Sequence, residues 1–124
     1  MKTVGLRNNI CIKDAEMNCG SKMLENFVSP YNSTIVDKLN EAKIATENIN
    51  MSEFGIEEDG YVAEFFEKGI LNVAIVVDRN GEIARNSKDG LIGIKPTFGL
   101  VSRYGVVTVS PSLEQTRSYK YRYR

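Results

Sequence analysis

The sequence predicts an α/β fold, with helices layered on a small mixed sheet. Three observations carry that expectation. Two segments have helical spacing with capping residues at their ends, around 33–43 and 61–68. Leu71 to Val77 is an apolar, β-branched run suited to a buried strand. Further short strand-like runs alternate with these, punctuated by turn residues. The chain has 124 residues, the length of one domain, with 42% hydrophobic and 26% charged residues. A chain this size buries roughly two-thirds of its unfolded surface, enough for one modest core.

Taken in order, Asn9 to Lys13 alternates as a short strand would. Ser33 or Thr34 caps a helix running to about Lys43, with Ile35, Val36, Leu39 and Ala42 on one face. Tyr61 to Lys68 forms a second helix that buries Val62, Phe65 and Phe66, and Gly69 is placed to end it. The buried strand Leu71 to Val77 follows. Asn80-Gly81 then sits between β-like flanks, a strong hairpin signal. Leu91 to Ile94 and Val106 to Val109 complete the strands, with turns at Pro96 and Gly105. Residues 1–115 are expected to form the domain, and 116–124 a disordered tail rich in bases and tyrosines.

Sixteen basic and sixteen acidic side chains sum to zero, but unevenly. The stretch from Glu47 to Glu67 carries acids and no base, whereas Arg117, Lys120, Arg122 and Arg124 close the chain without an acid. Histidine is absent, which removes Ser-His-Asp and Cys-His catalysis and every His-ligated zinc site. Cys11 and Cys19 are too few for a thiolate zinc site, and no metal or cofactor is expected. Neither a signal peptide nor a membrane span is legible, so a cytoplasmic chain is expected, without membrane contact. That compartment favours two reduced, partly buried thiols over a disulfide.

Few groups remain that could do chemistry. Lys13 stands at the end of an apolar run, where desolvation lowers an ammonium pKa and makes it a base; a solvated surface lysine is the plainer reading. Glu57-Glu58-Asp59 offers oxygens to a hard cation, yet lacks the spacing of a calcium loop and reads better as a solvated turn. The basic tail could stack on bases and neutralise phosphates, or rest on an anionic membrane surface, though a disordered end is the plainer reading.

Three segments resemble the amidase signature family. Gly20-Ser21-Lys22-Met23-Leu24-Glu25-Asn26-Phe27 is similar to its A-S-K-[IM]-L-E-N-[FY] segment, and Asn50-Met51-Ser52-Glu53-Phe54 to its N-M-D-E-F. Gly93-Ile94-Lys95-Pro96-Thr97-Phe98-Gly99-Leu100-Val101-Ser102-Arg103-Tyr104-Gly105-Val106-Val107, with Ser112-Leu113-Glu114-Gln115 after it, resembles G-L-K-P-T-Y-G-x-V-S-R-Y-G-L-V and S-L-D-Q. The segments stand in the family's order. Within it, the likeness is greatest to the A subunits of the tRNA-dependent amidotransferases that act on glutamyl-tRNA(Gln) and aspartyl-tRNA(Asn).

The resemblance implies a layered α/β core and a Ser–Ser–Lys glutaminase without histidine, metal or cofactor. It also implies ammonia supply for amidating misacylated tRNA, with B and C subunits as partners. Ile12-Lys13-Asp14 matches the family's I-K-D, which makes Lys13 the counterpart of the triad lysine. The bridging serine belongs to a glycine- and serine-rich loop whose place is taken by Gly55-Ile56-Glu57-Glu58-Asp59-Gly60. The nucleophilic serine belongs to D-T-G-G-S, and alignment from Asp78 puts Glu82 at its position. Ser87, five residues further, is too distant to replace it. Both triad serines are therefore expected to be missing, and with them the turn that stabilises an oxyanion, worth about 3 kcal/mol per donor. The expectation is a truncated, catalytically inactive relative, an amidase-like A-subunit pseudoenzyme. Its alternatives are a binding module for amidotransferase subunits or tRNA, or the remnant of a larger gene whose frame is lost after Gln115.

Overall fold

A computed structural model describes residues 3–50, 66–78 and 90–121. Its centre is a five-stranded mixed sheet built from β1 (Thr3–Arg7), β2 (Ala45–Ile49), β3 (Val73–Asp78), β4 (Leu91–Ile94) and β5 (Gln115–Tyr121), in the order β2-β1-β3-β5-β4. Strand β1 pairs in parallel with both β2 and β3. Strand β5 runs antiparallel to β3 and to β4. The helix α1 (Thr34–Glu41) lies between β1 and β2 in the chain, as a parallel pair requires. Among the described residues no helix is long and apolar enough to cross a membrane.

Alternation along β3 explains the layering, because successive side chains leave opposite faces of a strand. Val77 joins Val4, Leu6, Ile10, Ile35 and Val36 in one core cluster, against which Val73, Ile75, Leu39 and Val106 also pack. Ala74 and Val76 face the other way, toward Ile49, Phe66, Leu71 and Leu91. Gly5, in the middle of β1, is needed on that second face. A Cβ there would overlap Leu71 Cδ1 and Ile49 Cδ1. The sheet is thus covered on both sides, which accounts for the nearly continuous apolar reading of β3.

Helix α1 begins as its sequence predicts. Ser33 is the N-cap, its hydroxyl accepting the Val36 N–H at 3.3 Å, and Ile35 and Val36 are buried. Phe66 is buried too, and Gly69 adopts φ +68, consistent with a helix that ends there; the rest of the expected helix 61–68 lies outside the described residues. So do the Asn80-Gly81 hairpin, Glu57-Glu58-Asp59, Ser87, and most of Asn50 to Phe54.

Three expectations are corrected and one unexpected strand is added. The first strand is Thr3–Arg7, and Asn9 to Lys13 instead leaves the sheet in a turn closed by the Ile10 N–H on the Arg7 carbonyl, at 3.0 Å. Val106 to Val109 contributes only an isolated bridge, Val106 to Ile10, because the chain turns just before it, where the Val106 N–H donates to the Arg103 carbonyl, and again after it, where the Leu113 N–H donates to the Ser110 carbonyl. Ala45–Ile49 is a strand that its polar composition conceals, paired along its whole length with β1. Finally, Gln115–Tyr121 is not a disordered tail. It is β5, an interior strand whose Thr116 and Arg117 are buried, held by pairing on both edges. Strand pairing here overrides a composition that reads as solvated.

Candidate functional site

The three parallel strands place their carboxyl ends along one edge of the sheet. In open α/β sheets that edge is where ligands bind. The chain leaves it from β1 toward Lys13, from β2 toward 51–65 and from β3 toward 79–89. The three positions matched to the triad therefore all follow carboxyl ends of neighbouring strands. Glu82 and the 55–60 segment lie outside the described residues.

Lys13 sits in a loop, not at a strand end, and its side chain is exposed. Its backbone N–H donates to Asn32 Oδ1 at 2.8 Å, and the next N–H, of Asp14, donates to the Ser29 carbonyl at 2.8 Å. Asp14 takes φ +61, a left-handed conformation that short polar residues tolerate. The Lys13 backbone is thus firmly held, while its side chain is open to solvent.

A cavity of about 330 Å³ opens beside this loop, lined by Glu16, Asn18, Gly20, Ser21, Lys22, Glu25 and Asn50. Asn50 follows the last residue of β2, so the cavity lies at the sheet's ligand-binding edge. Ser21 caps the 3-10 turn Lys22–Leu24, accepting from the Met23 N–H. Asn18 Oδ1 accepts from the Gly20 N–H at 2.9 Å and from Asn8 Nδ2 at 2.7 Å, which ties the cavity wall to the end of β1. Two carboxylates and one ammonium at its rim suit a polar ligand bearing both donors and acceptors. The likeness at Gly20 to Glu25 was the one sequence signal pointing at this wall, and it carried no hint of a surface. Among the described residues no group of three histidine, cysteine or acidic side chains could hold a metal ion.

The long likeness at 93–115 has a different use. Arg103 donates from its guanidinium to the carbonyls of Pro111 and Glu114, and stacks 4.9 Å from the Phe98 ring centre. The buried Glu114 carboxylate accepts the N–H groups of Val109 and Ser110 at 2.9 and 3.1 Å. Gln115 donates its side-chain amide to the Pro96 carbonyl. Gly105, at φ +74, lies so close to Ser33 that a Cβ would come within 2.6 Å of Ser33 Cα. These residues hold the loop together and seat it against Ser33 at the start of α1 and against Cys11 in the turn after β1; none of Arg103, Gly105, Glu114 and Gln115 lines the polar cavity.

The tail bases divide. Arg117 is only 7% exposed and belongs to the sheet, whereas Lys120 is exposed; Arg122 and Arg124 lie outside the described residues. A phosphate-binding role shared by all four is thereby corrected for Arg117.

Comparison with known proteins gives a consistent picture. The glutamyl-tRNA(Gln) amidotransferase A subunit of Natranaerobius thermophilus is 34% identical over 137 aligned residues, covering 90% of this chain and 28% of that protein. Its counterpart from Desulfotalea psychrophila is 36% identical over the same shares. Among solved structures, the corresponding A subunit from Thermotoga maritima superposes with a TM-score of 0.76 at 24% identity, over 96% of this chain and 32% of that one. An amidase family protein from Bacillus anthracis reaches 0.85 at 17% identity, over 96% and 30%. No family model matches the sequence. The chain spans between a quarter and a third of the length of these relatives.

Proposed function

From the premise that this chain belongs to the amidase signature family, as a partial relative of the glutamyl-tRNA(Gln) amidotransferase A subunits, we propose that it is a pseudoenzyme. It keeps strands from part of the family's core and one triad counterpart, Lys13, without a serine to activate. The observation that carries this reading is the replacement of both serine positions, by Glu82 and by Gly55 to Gly60. A base contributes to amide hydrolysis only by taking a proton from a nucleophile within hydrogen-bond reach. The exposure of Lys13 in its loop supports the same reading, since its side chain is open to solvent and not enclosed beside a nucleophile. The test is ammonia release from glutamine by the purified chain. No release above the buffer rate is expected. Release that vanishes in Lys13→Ala overturns the proposal.

A second reading, binding to B- or C-like amidotransferase partners, draws on a surface feature. Ile92, Ile94, Phe98 and Leu100 are exposed, the last by 77%, on and just beyond the strand at one end of the sheet. Neighbouring exposed apolar side chains of this kind favour a protein partner. Binding to tRNA is the competing form. Salt-sensitive tRNA affinity that falls when Lys120, Arg122 and Arg124 are changed together to alanine would favour it. Deleting 117–124 would not separate the two, because it removes β5 from the sheet.

A further inference from the structure

We propose that the cavity between α1 and the 96–102 loop binds a small neutral aliphatic alcohol, its hydroxyl held at Thr116 and its chain lying outward against Leu39 and Leu100. An outer trough of about 440 Å³ runs over Ile35, Leu39, Ile75, Leu100 and Val101. A recess of about 120 Å³ adjoins it, sharing Ile35, Ile75 and Val101 and adding Pro96, Thr116 and Ser118. Small-molecule sites typically enclose about 300–1,000 Å³ and are mostly apolar, with a few placed polar groups. This cavity has that character.

Strand register explains why it is apolar outside and polar within. Ile75 opposes Ser118 and Val77 opposes Thr116, so these four side chains leave the sheet on the face that carries α1. The helix covers that face incompletely: Ile75, in the middle of β3, is only half-buried, and Leu100 is largely exposed. The trough's own polar side chains satisfy one another, the Ser102 hydroxyl donating to Thr34 Oγ1 at 3.2 Å. Thr116 differs. It is 4% exposed, and its Oγ1 is buried with no hydrogen-bond partner among the described residues. An unmet buried hydroxyl is costly and native structures keep few of them. Rotation about χ1 turns either its hydroxyl or its methyl toward the recess.

The charges around the cavity select the ligand. Arg117 borders the recess, but it opposes Val76, so its side chain leaves the strand on the other face, and it is already engaged in a contact of its own. The Lys38 ammonium at the outer rim lies 3.0 Å from the Glu41 carboxylate, and both are largely exposed. A charged head group in the recess would therefore lose its water without gaining an opposite charge. An alcohol avoids that loss. A hydroxyl has one donor and two acceptor sites, so it can donate to Thr116 Oγ1 or accept from it. Its alkyl chain displaces water from the trough, which is the favourable term. Binding makes and breaks no covalent bond.

The experiment titrates octanol into the full chain with isotope-labelled isoleucine and valine methyl groups, followed by NMR. Saturable shifts of the Ile35, Ile75 and Val101 methyls are expected. Octanoate, with the same number of carbons but a charged head, should bind at least about tenfold more weakly. Thr116→Val deletes only the orphan hydroxyl, so it should keep or raise the melting temperature of the ligand-free chain and weaken octanol about three- to tenfold. Leu100→Ser, at an exposed position, should weaken octanol at an unchanged melting temperature, which keeps the test decisive if the Thr116 variant does not fold. The proposal is overturned if no saturable shift appears up to the solubility limit of octanol, or if the shifts lie elsewhere in the molecule. Equal binding of octanoate, or octanol binding by Thr116→Val or Leu100→Ser as tight as wild type, also overturns it.

Discussion

Replacing Gly105 by alanine tests the clamp between the 93–115 segment and the start of α1. At φ +74 an L side chain costs about 1–2 kcal/mol. The added methyl would also meet Ser33 Cα at 2.6 Å, Cβ at 2.8 Å and N at 3.1 Å, which is backbone and cannot swing aside. Overpacking of this kind costs about 1–3 kcal/mol, and the reduced entropy of the unfolded chain returns about 0.4–1 kcal/mol. The net expectation is a loss of about 2–4 kcal/mol. Any relief must come from displacing Ser33, whose N–H donates to the Cys11 carbonyl at 2.8 Å and whose hydroxyl caps α1. The Cys11 N–H in turn donates to the Gly105 carbonyl at 2.8 Å, so the disturbance spreads to both partners. Urea denaturation followed by far-ultraviolet circular dichroism measures it. A loss below about 1 kcal/mol, with an unchanged m-value, would refute the packing reasoning.

Other expectations rest on separate contacts. Glu114→Ala removes the acceptor of the Val109 and Ser110 N–H groups and should cost about 1.5–3 kcal/mol in the same assay, the contribution of one hydrogen bond to a charged group, since these partly exposed N–H groups can turn to water. Gly5→Val should leave little folded protein, detectable as loss of a cooperative melt, because Leu71 and Ile49 occupy the space. Burial first, and then Cys11, push the Cys19 thiol from the ordinary 9.0 up to about 11. The unfolded state therefore loses its proton first as pH rises. Stability should hold below about pH 9 and decline by up to about 2–3 kcal/mol toward pH 11. Cys19→Ser should flatten that decline relative to wild type. Lys13→Ala should leave stability within about 0.5 kcal/mol, as for other exposed side chains.

Elements defined by local signals were legible without a structure. Ser33 marks its helix because a hydroxyl before an apolar-periodic stretch satisfies an orphan N–H, which is a property of a few consecutive residues. Leu71 to Val77 is readable for a similar reason, since a strand covered on both faces has no polar positions. What escaped was set by partners distant in sequence. Ala45–Ile49 is polar on an open face and becomes a strand only beside β1. Thr116 to Tyr121 reads as a charged tail and becomes interior only between β3 and β4.

The candidate site divides in the same way. Residue identity alone excluded histidine-based catalysis, and the resemblance set the expectations that Lys13 is the counterpart of the family's lysine and that both serine positions carry other residues. Those statements concern which atoms exist, and a one-dimensional order suffices for them. Only the fold decided that Lys13 lies exposed in a loop, that Arg117 is inside the sheet, and that Arg103, Gly105 and Glu114 of the long likeness serve as a clamp. Only the fold brought Thr116 into one cavity with Ile35 and Val101. Burial and contact depend on segments that meet across tens of residues, so they are properties of the packed chain and not of any stretch of it.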